Sequence, residues 1–262
     1  MTIIEVEHAR SMPAQQLIDA TSSILAWIRS QMESAGTPHP IRFWNFLPAI
    51  HQPLSPYSER YRAFNVGRFL AFTSWFGNAA HFARYVPTAT GIGHDGTSLI
   101  IAGLASKSPG TPIENPRQVP ALAYSTLYGP RPPCFVRATR AMLPGGPRLI
   151  VGGTASVRGE HTVHAGDLRA QWEETLMNLD ALINQAATLG HERFTQASTI
   201  RVYVAREADL GLIVSLSERA WPGTSHLEVI RADICRRDLL LEVEGVFAPG
   251  SNVQLDSELR NA

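Results

Sequence analysis

Residues 235–247 read Cys235-Arg236-Arg237-Asp238-Leu239-Leu240-Leu241-Glu242-Val243-Glu244-Gly245-Val246-Phe247. Side chains of an extended chain alternate between faces. The run therefore predicts a β-strand, Leu239–Phe247, with Leu239, Leu241 and Val243 on one face and Glu242 and Glu244 on the other. Two carboxylates at i and i+2 on so apolar a strand admit two readings. In one, the strand is half-solvated and shows its acids to water. In the other, the acidic face lines a cleft, where burial raises the pKa of Glu242 and makes it a proton donor.

Working outward, the 262-residue chain can bury one large core or two small ones. Its hydrophobic fraction is 44%, its charged fraction 18% and its formal net charge zero. That balance argues against nucleic acid or an anionic membrane as the main partner. No apolar run reaches the length of a membrane span, and the start, MTIIEVEHAR, lacks the apolar core of a signal peptide. Cys134 and Cys235 form no CxxC pair, and His161 and His164 fit no strong metal pattern, so neither a disulfide framework nor a zinc site is indicated. The expectation is a cytoplasmic globular protein without metal.

Apolar residues recur at helical spacing from Pro13 to Ala35 (Leu17, Ile18, Ala20, Ile24, Leu25, Ile28), and Gly36-Thr37-Pro38 ends the helix. An aromatic strand, Ile41–Leu47, follows. Tyr57 to Phe76 reads as a second helix with Arg60, Arg62 and Arg68 at polar positions. Strands at Thr88–Gly93 and Ser98–Leu104 flank the turn His94-Asp95-Gly96. The second half repeats this order: helix Asp167–Leu189, strand Ser198–Val204, helix Ala208–Ala220, strands Leu227–Asp233 and Leu239–Phe247. The repetition predicts a duplicated α+β unit. A strand hairpin, Phe135–Met142 and Arg148–Ser156 around Pro144-Gly145-Gly146-Pro147, precedes the second long helix. Its counterpart in the first copy is missing or reduced to Thr2–Val6. Lys107–Pro120, rich in proline and polar residues, reads as linker. The expected domains are 1–110, an incomplete first unit, and 111–262, carrying most of the site.

The second unit resembles the RidA/YjgF (chorismate mutase-like) fold: a hairpin, a long helix with Gln171 and Glu174 near its start, then strand, helix and two strands ending in E-x-E. That resemblance implies a trimer with sites between subunits and places the family's site glutamate at Glu242. The arginine that RidA imine deaminases use to hold a substrate carboxylate has no match in Pro222-Gly223-Thr224-Ser225-His226, which argues against that activity.

A narrower resemblance covers Ile41 to Phe247. It is carried by RFWNFLPAI (42–50), RYRAFNVGR (60–68), ATGIG (89–93), IENPRQ (113–118), YSTLYGPRPPCFVRA (124–138), GGTASVRGEHTVHAGD (152–167) and ADICRRDLLLEVEG (232–245). These strings are similar to the chorismatase family, the chorismate hydrolases and 3-hydroxybenzoate synthases of secondary metabolism. Typical members carry several dozen further N-terminal residues, so the first unit is expected to be incomplete. The resemblance implies cleavage of the enolpyruvyl ether of chorismate, with pyruvate as one product and no cofactor. The other product would be 3-hydroxybenzoate or a dihydroxycyclohexadiene carboxylate.

That chemistry needs a proton delivered to the enol carbon, and a carboxyl group in an apolar wall beside a dianionic ligand can supply it. Glu242 is the candidate acid; Glu244 orients it or faces solvent. The substrate carboxylates call for arginine forks, and Arg137 is the first candidate, with Arg117 either a second or a structural residue. Tyr124 and Tyr128, four apart, either point hydroxyls at the ring oxygens or simply pack. Gly153 and Ala155 lie on a small-residue strand end that the resemblance places against the substrate ring. Cys235 matches the position that separates subtypes: cysteine accompanies the aromatising route, whereas alanine at 155 accompanies hydrolysis. A non-catalytic trimeric binder of aromatic acids is the rival from another class, and pyruvate release separates the two.

Overall fold

In the computed structural model, which describes residues 1–77, 82 and 84–250, two sheets lie face to face between outer layers of helices. The first unit contains β1 (Thr2–Val6), α1 (Ala14–Ser34), β2 (His39–Pro48), α2 (Arg60–Phe76), β3 (Thr88–His94) and β4 (Leu99–Ser106). The helical spacing read from the sequence buries Leu17, Ile18, Ile24, Leu25 and Ile28 of α1 against the sheet and α2. At Gly67 of α2 a Cβ would lie 2.6 Å from the Ile18 carbonyl oxygen, so only glycine lets the two helices approach this closely.

Two of the three α2 arginines do not lie on a solvated face; Arg62 is half-exposed. Arg60 and Arg68 are fully buried. Arg60 donates to the Ala9 and Met12 carbonyl oxygens, and Arg68 to Asn65 Oδ1 at 2.8 Å. Helical spacing marks them as off the apolar stripe, but Arg60 is covered by the 9–12 turn and Arg68 by Phe135 rather than by water.

The second unit contains β5 (Thr111–Ile113), β6 (Ala138–Leu143), β7 (Gly146–Thr154), β8 (Val157–Arg158), β9 (His161–Thr162), α3 (Leu168–Thr188), β10 (Gln196–Val204), α4 (Leu210–Ala220), β11 (His226–Arg231), β12 (Asp233–Ile234) and β13 (Leu241–Ala248). Asp167 caps α3 by accepting the Ala170 N–H at 3.0 Å. Trp172, Leu179 and Leu182 of α3 and Ile213 of α4 pack on Ile200, Val202, Leu241 and Val243.

The strand orders are β1-β4-β2-β3-β12 and β11-β10-β13-β7-β6-β5. The duplication appears in the pairings themselves. β2 is parallel to β3 and antiparallel to β4, as β10 is parallel to β11 and antiparallel to β13. β1 holds the place in the first sheet that β7 holds in the second, and β6 has no counterpart among the described strands. The chain is an α+β protein of tandem units, the first incomplete.

Three expectations need correction. The 107–120 linker contains β5, which pairs with β6 at the sheet edge, where Pro112 needs no ladder N–H. The strand expected at Leu227–Asp233 divides: His226–Arg231 stays in the second sheet, while Asp233–Ile234 crosses to pair with Gly93 and Ile92 of the first. The strand expected from Leu239 starts at Leu241. It lies between β10 and β7 with both faces covered, so the half-solvated reading of its acids is excluded.

Candidate active site

Where the two sheets meet, a cavity of about 480 Å³ opens between α2, the 118–137 segment, the end of β7, the 235–239 loop and β13. That volume suits a small-molecule ligand. Glu242, Cys235, Arg137, Tyr124, Tyr128, Gly153 and Ala155 all line it. α2 and β3 of the first unit supply one wall of it.

Glu242 projects from the inter-sheet face of β13, opposite to Leu241 and Val243, which join the helix-side core. Its carboxyl lies against the backbone of Gly153, where a Cβ would sit 2.5 Å from the Glu242 carboxyl carbon and closer still to Oε1. The small-residue strand end thus makes room for an acid. Burial, and then the neighbouring Glu244 carboxylate, push the Glu242 pKa up to about 8, against the pull of Arg42, Arg137 and Arg236. At neutral pH Glu242 carries its proton.

Glu244, two residues on, neither faces the cavity nor meets solvent. It accepts from Arg42 Nη2 at 2.6 Å and Thr90 Oγ1 at 2.7 Å on one oxygen, and from Trp44 Nε1 at 2.9 Å and Arg201 Nη1 at 3.2 Å on the other. Both oxygens are filled by cations and fixed donors, so the Glu244 side chain is fixed in place. One strand face therefore carries two carboxyl groups in different surroundings, one facing the cavity and one enclosed by donors, which neighbours rather than sequence decide.

Arg137 ends the segment entering β6 and is buried against the cavity. Its guanidinium donates to Tyr124 Oη at 2.6 Å and stacks over Phe135 with its carbon 5.0 Å from the ring centre. Tyr124 and Tyr128 lie 5.1 Å apart, one at the end of each of two short 3-10 turns. Arg236, which pattern reading missed, completes the stack, 4.1 Å above Tyr128 and donating to the Glu160 carbonyl oxygen at 2.8 Å. Arg68, also missed, reaches the cavity from α2. The adjacent Cys235 could have drawn attention to Arg236; Arg68 carries no local signal, because its burial depends on a segment sixty residues away. Arg117 is no part of the cavity. It pairs with the buried Glu174 at 2.5 Å and with Asn178 Oδ1 at 2.8 Å, a structural role.

Cys235 and Ala155 form the wall beside Glu242. Burial, followed by the field of Glu242, pushes the Cys235 thiol up to about 12, so it is a neutral group and not a thiolate. Helix α3 fixes this wall from behind. Gln171 donates to the Asp238 carbonyl oxygen and accepts from the Leu240 N–H, both at 2.8 Å, and Asn178 donates to the carbonyl oxygens of Ala155 and Val157.

A 3-hydroxybenzoate synthase of Streptomyces hygroscopicus is 36% identical over 247 residues, 90% of this chain and 72% of that protein. The chain belongs to the chorismatase family. A chorismatase from the same organism is 34% identical over 88% of this chain and 67% of its own length. Residues 1–105 match the family description "Chorismatase FkbO/Hyg5-like, N-terminal". A chorismatase crystal structure superposes with a TM-score of 0.83 at 32% identity, over 94% of this chain and 73% of the other.

Proposed function

We propose that this chorismatase-family enzyme protonates the enolpyruvyl group of chorismate from Glu242 and releases pyruvate. The observation that carries the reading is a neutral, buried carboxyl at the floor of a cavity whose walls present Arg68, Arg137 and Arg236. Proton transfer to the methylene carbon leaves an oxocarbenium ion at the ether carbon, and the anionic Glu242 left behind stabilises it. Water addition to that cation and collapse give pyruvate and the dihydroxycyclohexadiene carboxylate, with one water consumed. Intramolecular capture followed by aromatisation gives pyruvate and 3-hydroxybenzoate, with none consumed. Both units contribute: 111–262 supplies the acid and 1–110 one wall. Incubation with chorismate should yield pyruvate in a coupled assay and one of the two ring products by chromatography; intact chorismate would overturn the reading.

Arg137 is proposed to clamp a substrate carboxylate. A lysine cannot reproduce the planar fork, so Arg137→Lys in a Glu242→Gln background should weaken chorismate binding by about 2–4 kcal/mol in calorimetry. Unchanged affinity would move the clamp to Arg68, since Arg117 is already engaged by Glu174.

Cys235 is proposed to steer the product. As a neutral thiol beside Ala155 it shapes the wall that admits or excludes water, without covalent attack. Cys235→Val should move output towards the hydrolysis product while pyruvate release continues. An unchanged product ratio would leave Cys235 a packing residue.

The trimer is likewise a proposal. Its support is two outer edge strands, β1 and β11, that expose Ile3 and Ile230. A monomer in light scattering at micromolar concentration would refute it.

A further inference from the structure

The Glu244 cluster joins the two sheets directly behind the Glu242 carboxyl. Glu244 on β13 and Gly153 on β7 belong to the second sheet; Arg42 and Trp44 on β2 and Thr90 on β3 belong to the first. The Thr90 hydroxyl is the junction. It donates to Glu244 Oε2 at 2.7 Å and accepts from the Gly153 N–H at 3.0 Å and from Arg42 Nη2. Its one proton and both its acceptor positions are occupied, so it has nothing left to offer a ligand, although the residue borders the cavity.

Gly153 is also the backbone against which the Glu242 carboxyl rests. The path from Glu244 through Thr90 to Gly153 therefore ends at the reacting group. The β13–β7 ladder is irregular at this level, its register shifting between Val243 and Gly245, so ladder hydrogen bonds alone leave the Gly153 backbone weakly fixed here. The bond from Gly153 to Thr90 reaches across to the other sheet instead.

We propose that Thr90, backed by the Glu244–Arg42 ion pair, is a positioning residue. It anchors the Gly153 backbone across the sheet interface and so fixes where the Glu242 carboxyl stands in the cavity. The inference rests on Glu242 being the acid. It also accounts for a buried ion pair at this place, where an apolar cluster of equal volume would hold the sheets together without specifying their spacing to within a hydrogen bond. Trp44 acts from further back, its indole N–H holding Glu244 Oε1.

The test is steady-state kinetics of pyruvate release from chorismate by the whole chain. Thr90→Val keeps the shape and removes the hydroxyl, and should lower kcat about 10- to 100-fold, the penalty of a sub-ångström to ångström misplacement, with KM within about threefold. Thr90→Ser restores the hydroxyl and should return kcat to within about threefold of the parent, a rescue that general packing does not predict. Parental kcat in Thr90→Val, a loss confined to KM, or a serine variant as impaired as the valine one would overturn the proposal. If Thr90→Val does not fold, Trp44→Phe decides, because Trp44 does not line the cavity. A fall in kcat of about threefold or more at constant KM supports the proposal, and an unchanged kcat overturns it. Parental activity in Glu242→Gln would instead refute the assignment of the acid. Loss in Glu242→Gln with none in Thr90→Val would refute the positioning role alone.

Discussion

Glu242→Gln should release pyruvate from chorismate about 10²–10⁴-fold more slowly than the parent, with substrate affinity near normal or tighter. Glutamine keeps the shape of the side chain but has no carboxyl proton to deliver. Because the Glu242 pKa stands at about 8, kcat/KM of the parent should hold from neutrality to about pH 8 and fall above it. In the variant that basic limb should vanish from the residual rate. A rate within a few-fold of the parent would mean that the acid lies elsewhere.

The same substitution carries a stability signature of known sign. The folded protein keeps the Glu242 proton to about pH 8, whereas the unfolded chain releases it near 4.5. Between those values unfolding releases a proton, so this group makes stability fall as pH rises. Its contribution is steady below the unfolded value and declines by about 1.4 kcal/mol per pH unit up to the folded one. Glu242→Gln removes that slope. Urea titrations from pH 5 to pH 8 should therefore show the variant gaining on the parent as pH increases. A constant gap would mean that Glu242 ionises normally in the fold.

Gly153→Ala should have a comparable effect on catalysis by a different route. Its methyl group would occupy the space of the Glu242 carboxyl, which has β13 behind it and cannot retreat without moving that strand. Displacing the acid by about an ångström should lower kcat roughly 10²-fold. The new contact also strains a packed core, at about 1–3 kcal/mol in denaturant titration. Full activity in a folded Gly153→Ala enzyme would show that the carboxyl finds another productive position.

Several features were legible from local pattern alone. The 3.6-residue recurrence of apolar side chains gave α1 and α3, and the glycines at their ends marked where they stop, because periodicity and capping are properties of adjacent residues. The repeated order of helices and strands gave the tandem units, whereas the E-x-E pair on an apolar strand left two readings open and the family resemblance singled out Glu242. Local pattern failed wherever the covering surface comes from elsewhere in the chain. Arg60 and Arg68 read as polar positions on a helix, yet other segments close over them. Asp233–Ile234 read as the tail of one strand, yet it pairs in the opposite sheet.

The alternation of Leu241-Glu242-Val243-Glu244 determined by itself that both carboxyl groups share one face of one strand. It could not determine that Glu242 keeps its proton, because a pKa is set by the dielectric and the charges within a few ångströms and not by neighbours in sequence. Only the tertiary structure decided that. The first sheet brings Arg42, Trp44 and Thr90 onto Glu244 and encloses it, while Gly153 leaves Glu242 space in an apolar cavity wall where burial and the neighbouring Glu244 carboxylate raise its pKa.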